Sequence, residues 1–217
     1  MSKSSLNQPT FTDDSPAFEL RGNRFKPLAW ENMSAEQQGM TRAVLGGQRG
    51  NMQGPYNVLL RSPELGQLAQ AFGAHTRFNS SLPLQLNELA ILLIARDWTA
   101  QFVWWAHRRI AEDAGLQVDL VQAISNRTPM PKNLPDDVIA VFEFCTELIQ
   151  TRKVSDSAFA HVVKYFGERG VVDLMATLSY YTLVCMSLNV DDYPLPDGVE
   201  PELAAPRGRI LDASQQE

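Results

Sequence analysis

The run LMATLSYYTLVCMSLNV, residues 174–190, carries no charge over 17 positions. That limits what the chain can become. It falls short of the roughly 20 residues a bilayer core demands, and it includes several hydroxyl side chains. A helix that is apolar all round must be covered, either inside a core or between subunits. The rest of the chain therefore has to supply the covering elements. A length of 217 residues is enough for one domain that buries roughly 70 % of its unfolded surface.

Those covering elements are written as helices. Ser34-Ala-Glu-Gln37 has the spacing of a capping box and opens a helix that Gly46-Gly47 closes. Ser62 followed by Pro63 starts a second, with Leu65, Leu68 and Phe72 on one face as its expected core stripe. Ser81 and Pro83 repeat the signal before LQLNELAILLIARDW, which is apolar over most of its surface. A helix over about 99–114 follows, with Gly115 in the usual C-terminal position. Asp136 and Asp137 lie in the first turn of the next, and Arg152 and Lys153 at its end, matching the helix dipole. Ser155-Asp156 begins another, with Phe159, Val162, Val163 and Phe166 in register. Strand-type alternation is absent over any useful length. The expected fold class is all-α, with about seven to eight helices between residues 25 and 190. Residues 1–24 and 191–217 are expected as extended arms or tails.

Composition narrows the function. A net charge of −6, with no block of basic residues, argues against a nucleic-acid partner. The opening MSKSSLNQPTF has no apolar core of a signal peptide, so a cytoplasmic protein without a membrane partner is expected. Cys145 and Cys185 are forty positions apart, without metal or redox spacing, and read as reduced, buried thiols. No Gly-rich phosphate loop, H-E-x-x-H or four-cysteine set is present, so no cofactor and no metal is expected.

One stretch carries chemistry. In DWTAQFVWWAHRRIAEDAGL, His107 shares a helical stripe with Ala100, Val103, Trp104, Ile110, Ala111 and Ala114. A lone histidine on an apolar face is more often a packed residue than a reactive one. The preceding helix, however, places Glu88 among apolar neighbours. A carboxylate buried there needs a partner, and His107 one helix away is the candidate. A Glu–His pair in an aromatic pocket is an acid/base device. His161 and His75 are weaker candidates by position.

GPYNVLLRSPEL, LNELAILLIARDWTAQFVWWAHRRIAEDAGL and RGVVDLMATLSYYTLVCMSLNV resemble the carboxymuconolactone decarboxylase family, which includes the AhpD-type alkylhydroperoxidases. The resemblance spans roughly residues 25–200. It implies an AhpD-like helical unit assembled as a homo-oligomer, a trimer or hexamer. The AhpD branch carries C-x-x-C-x-x-x-H, with a glutamate twelve positions before the first cysteine. Here the glutamate is Glu88 and the histidine His107, but the cysteine positions hold Ala100 and Val103. Many relatives in the decarboxylase branch have a glutamate where Val103 stands.

Three readings follow. The first is a decarboxylase-like lyase or isomerase acting on a small hydrophobic or lactone-type carboxylic acid. His107 would move the proton, Glu88 would orient it, and Trp104, Trp98, Val103 and Tyr56 would line the pocket. The second is a homologue that binds a small molecule without catalysis, which Val103 favours. The third, alkylhydroperoxidase or peroxiredoxin-type activity, lacks its thiols.

Overall fold

The computed structural model describes residues 16–204. Among these residues there are eight α-helices, one short 3-10 turn (Trp30–Asn32) and no strand. In chain order the helices are α1 (Ala35–Gly46), α2 (Tyr56–Leu59), α3 (Pro63–Phe78), α4 (Leu84–Asp97), α5 (Gln101–Asp113), α6 (Val118–Asn126), α7 (Asp136–Thr151) and α8 (Asp156–Asp191). The all-α expectation holds. Sequence punctuation had not marked α2 or α6, both of which are short.

α4 is the axis of the fold. From Leu86 to Arg96 every side chain except the half-buried Leu93 is buried, and α5, α6, α7 and α8 all pack on it. The capping signals at Ser34 and Ser155 behave as read: Ser34 and Gln37 form the reciprocal box, and Ser155 accepts from Ala158 N–H. Ser81 has a different task. Its N–H and hydroxyl both donate to Asp173 of α8, at 2.7 and 2.5 Å, while α4 begins without a side-chain cap.

α8 is two helices joined at Gly167, whose φ of 64° is left-handed and available to glycine at little cost. By length and composition α8 could cross a membrane, yet 61 % of its most apolar window is buried inside this fold. Leu174, Thr177, Leu178, Tyr181, Cys185 and Leu188 face inward. Val172, Met175, Met186 and Val190 form an exposed stripe at helical spacing. Burial in the first half of the helix is carried by Ala158 and Val162, whereas Phe159, expected inside, is 44 % exposed.

α3 is turned over relative to expectation. Its buried face is Gly66, Ala69, Gly73 and Thr76, and Leu65, Leu68 and Phe72 point outward. The small residues let α3 approach its neighbours closely. A Cβ on Gly73 would fall 2.1 Å from the Tyr180 ring, and one on Gly66 would fall 2.4 Å from the Met40 sulfur.

The described parts of both terminal segments fasten onto this body. The backbone N–H groups of Arg24 and Phe25 donate to the Asp191 carboxylate at the end of α8, at 2.9 and 2.8 Å. At the other end, the Gln101 side-chain amide pairs with both backbone groups of Leu203, at 2.7 and 3.0 Å.

Candidate functional site

The α4–α5 connection is only Trp98, Thr99 and Ala100. Thr99 takes a left-handed conformation (φ 49°), rare for a β-branched residue. This tight reversal lays α5 antiparallel along α4 and brings the two helices' facing side chains together. Ala100 is the N-cap of α5, not part of its stripe, and α5 ends at Asp113.

Glu88 and His107 meet across that hairpin. Nδ1 of His107 lies 2.6 Å from Oε2 of Glu88, with the histidine 7 % and the glutamate 1 % exposed. With Glu88 ionised, its carboxylate can only accept and Nδ1 is the donor; in the neutral ring that leaves Nε2 with its lone pair. The Tyr181 ring stands edge-on to the imidazole, with centroids 4.9 Å apart. The other Glu88 oxygen, the Tyr181 hydroxyl and the Trp104 indole N–H are buried without a hydrogen-bond partner among the described residues. Burial first, and the Glu88 charge second, push the Tyr181 phenol far up, so it stays neutral.

His107 lines an open cavity of about 840 Å³. Val103 and Tyr56, both expected in the pocket, are in its wall. Trp104 and Trp98 are not. Trp104 is fully buried in the core behind α5, and the ring that reaches the cavity is its neighbour Trp105, 39 % exposed. Trp98 lines a separate cavity of about 260 Å³ with Phe102 and Tyr193. The aromatic wall is instead Phe102, Trp105, Tyr180 and Tyr181, joined by Arg49 and Arg77. Sequence reasoning missed the arginines because neither belongs to a motif. The tyrosine pair could have been found, as the bulkiest residues of the uncharged run.

The two thiols are elsewhere, on α7 and α8. Both are buried, and burial pushes each well above the ordinary thiol range. Among the described residues, no three His, Cys, Asp or Glu side chains cluster to hold a metal ion.

The helical body is similar to a solved structure, that of a protein of unknown function from Agrobacterium tumefaciens proposed to be an antioxidant defence protein, AhpD. The match has a TM-score of 0.55 at 14 % identity, covering 68 % of this chain and 100 % of the other. The fold is AhpD-like. No protein-family profile matches the chain, and a search of curated proteins finds no match. At this identity the likeness speaks for architecture alone.

Proposed function

We propose that the chain is an acid/base enzyme, a lyase or isomerase of the carboxymuconolactone decarboxylase kind, acting on a small organic acid bound beside His107. The observation that carries this reading is the 2.6 Å Glu88–His107 pair, whose imidazole lines an aromatic cavity. Nε2 of His107 has no protein partner among the described residues and serves as the base. Glu88 holds the ring in one tautomer and stabilises the imidazolium that forms when Nε2 takes a proton from substrate carbon. In an isomerisation the same imidazolium returns that proton at a different carbon. In a decarboxylation CO2 leaves, the C–C bonding pair stays on the substrate, and an imidazolium charged from solvent protonates the carbon that takes that pair. Neither cycle needs a thiol or an added oxidant.

Removing the base should cost about 10²–10⁴-fold in turnover. The test is a thermal-shift screen of lactones and unsaturated acids, followed by turnover assays of each hit with the native protein, His107→Asn and Glu88→Gln. Turnover that survives His107→Asn would sink the reading. Saturable binding with no turnover in any protein would favour a non-catalytic binding homologue. Val103, 2 % exposed where many resembled relatives carry an acid, is the observation behind that alternative.

Thiol peroxidase activity finds less support. Ala100 and Val103 stand at the α5 start where reactive cysteines would be needed, and Cys145 and Cys185 are neither accessible nor easily ionised.

We also propose that copies associate, with the outward stripe of Val172, Met175, Met186 and Val190 as the contact and Leu65, Leu68 and Phe72 of α3 as a second apolar face. Sedimentation at micromolar concentration should show an oligomer. A well-folded species at the 24.2 kDa of one chain would refute it.

A further inference from the structure

The charges around the cavity are unevenly distributed. Arg108 is matched by Glu112 at 2.9 Å and Glu202 at 2.6 Å, and Arg109 faces Asp113 at 3.5 Å, all at the α5 side of the opening. Glu88 is engaged by His107. That leaves Arg49, from the loop after α1, and Arg77, from the last turn of α3, with no carboxylate partner among the described residues. Arg49 lies against the Tyr56, Tyr180 and Phe78 rings, 5.6, 5.8 and 5.9 Å from their centroids, and Arg77 lies 5.3 Å from that of Phe78. One Arg49 nitrogen reaches the Tyr180 hydroxyl at 3.3 Å, and its Nε is buried with no partner.

Two guanidinium groups fixed on aromatic faces, with unspent donors and a wall of rings leading to an imidazole, form a receptor for a planar anion attached to an apolar body. We propose that Arg49 and Arg77 bind the carboxylate of an organic acid, whose carbon skeleton lies along Phe102, Tyr180 and Tyr181 toward His107. Arginine suits this role because its fork matches the two carboxylate oxygens. The neutral phenol of Tyr181 lines the same cavity as both arginines and adds a donor. The assignment deepens the acid/base reading of the same site by naming the residues that select the substrate. Binding is nevertheless measured without turnover, so the two can fail separately.

The probes are benzoate, its neutral isostere benzamide, and inorganic phosphate, measured by isothermal titration against the native protein, Arg49→Gln, Arg77→Gln, His107→Asn and, as a control outside the cavity, Lys164→Gln. Benzoate should bind at least about tenfold more tightly than benzamide, and each arginine substitution should erase about tenfold or more of the benzoate affinity while sparing benzamide. Lys164→Gln should leave benzoate within about twofold. Added salt should weaken benzoate and not benzamide in the native protein, a readout that does not depend on any variant folding. Absence of benzoate binding, equal affinity for benzamide, indifference to both arginine substitutions, or phosphate binding as tight as benzoate would each overturn the proposal. Greater sensitivity to His107→Asn than to Arg49→Gln would also overturn it, by placing the anion on the imidazole. Intact arginine-dependent binding with no turnover of any acid would leave this inference standing and count against the catalytic one.

Discussion

The inverted packing of α3 predicts that one substitution type will act with opposite signs at two helical glycines. Alanine normally improves a helix interior by about 1 kcal/mol relative to glycine. At Gly39 in α1 nothing lies within 4 Å of the added Cβ, so Gly39→Ala should stabilise by up to about 1 kcal/mol. At Gly73 the same Cβ would sit 2.1 Å from Cζ and 2.2 Å from the hydroxyl of Tyr180, about 1.3 Å short of ordinary contact. Tyr180 has nowhere easy to go. It is 1 % exposed, bonded to Arg49, and held edge-on by Phe72 at 5.7 Å and Tyr181 at 5.3 Å. Against a ring held this firmly the overpacking falls in the upper part of its usual range, about 2–3 kcal/mol, so Gly73→Ala should lose roughly 1–2 kcal/mol after the helix gain is deducted. For a domain of this size that lowers Tm by about 2–8 °C, while Gly39→Ala raises it by about 2–4 °C. Urea titration and calorimetry of the two variants read both values. If Gly73→Ala proves as stable as the native protein, the close approach of α3 to α8 is wrong, and with it the position assigned to Tyr180 in the cavity wall.

Thr99→Asn should stabilise by about 0.5–1 kcal/mol in urea titration, because asparagine tolerates the left-handed conformation that a β-branched residue resists; a loss would show that the turn is not strained. Desolvation would raise the Asp173 carboxyl, but two hydrogen bonds from Ser81, then Arg169 and His75, hold it below the usual range. A lowered folded value means its stabilisation is present above the unfolded value, near about 3.9, and is lost as pH falls through the folded one. The stability gap between the native protein and Asp173→Asn should therefore be constant near neutrality and shrink only below about pH 4. A gap unchanged into strong acid would contradict the Ser81 contact. Cys145 and Cys185 should react with a disulfide reagent only at the rate of unfolding, and the native chain should show no thiol-dependent peroxide reduction above a no-enzyme control. Fast labelling of either thiol in the folded protein would disprove their burial.

Much of the architecture was legible because its signals are local. The Ser34 box, the Ser155 cap and the uncharged run through Cys185 each follow from short-range chemistry, and each lies where the sequence implied. The Glu88–His107 pair was legible for a different reason: a glutamate in an otherwise apolar helix must find a partner, and few were within reach. What failed was phase. Whether Trp104 or Trp105 reaches the cavity depends on where α5 starts, and the three-residue turn through Thr99 begins it at Gln101. On α3 the large residues Leu65, Leu68 and Phe72 and the small ones Gly66, Ala69 and Gly73 share the same helical period. The choice between them was made by Met40 and Tyr180 on the opposing helices, which already fill the space. Arg49 lies in a loop with no period at all, so only its three-dimensional neighbours reveal it.

The central claim is that Glu88 fixes His107 as a base with its lone pair turned to the cavity, and the tautomer of the ring tests it most directly. Nitrogen-15 spectra of histidine-labelled protein in mildly alkaline solution, assigned with His107→Asn, should show His107 protonated at Nδ1 and bare at Nε2. Adding a bound acid should shift the Nε2 signal. A proton on Nε2 with Nδ1 bare, or a ring averaging freely between the two forms, would mean that Glu88 does not hold His107 and that the acid/base pair does not exist.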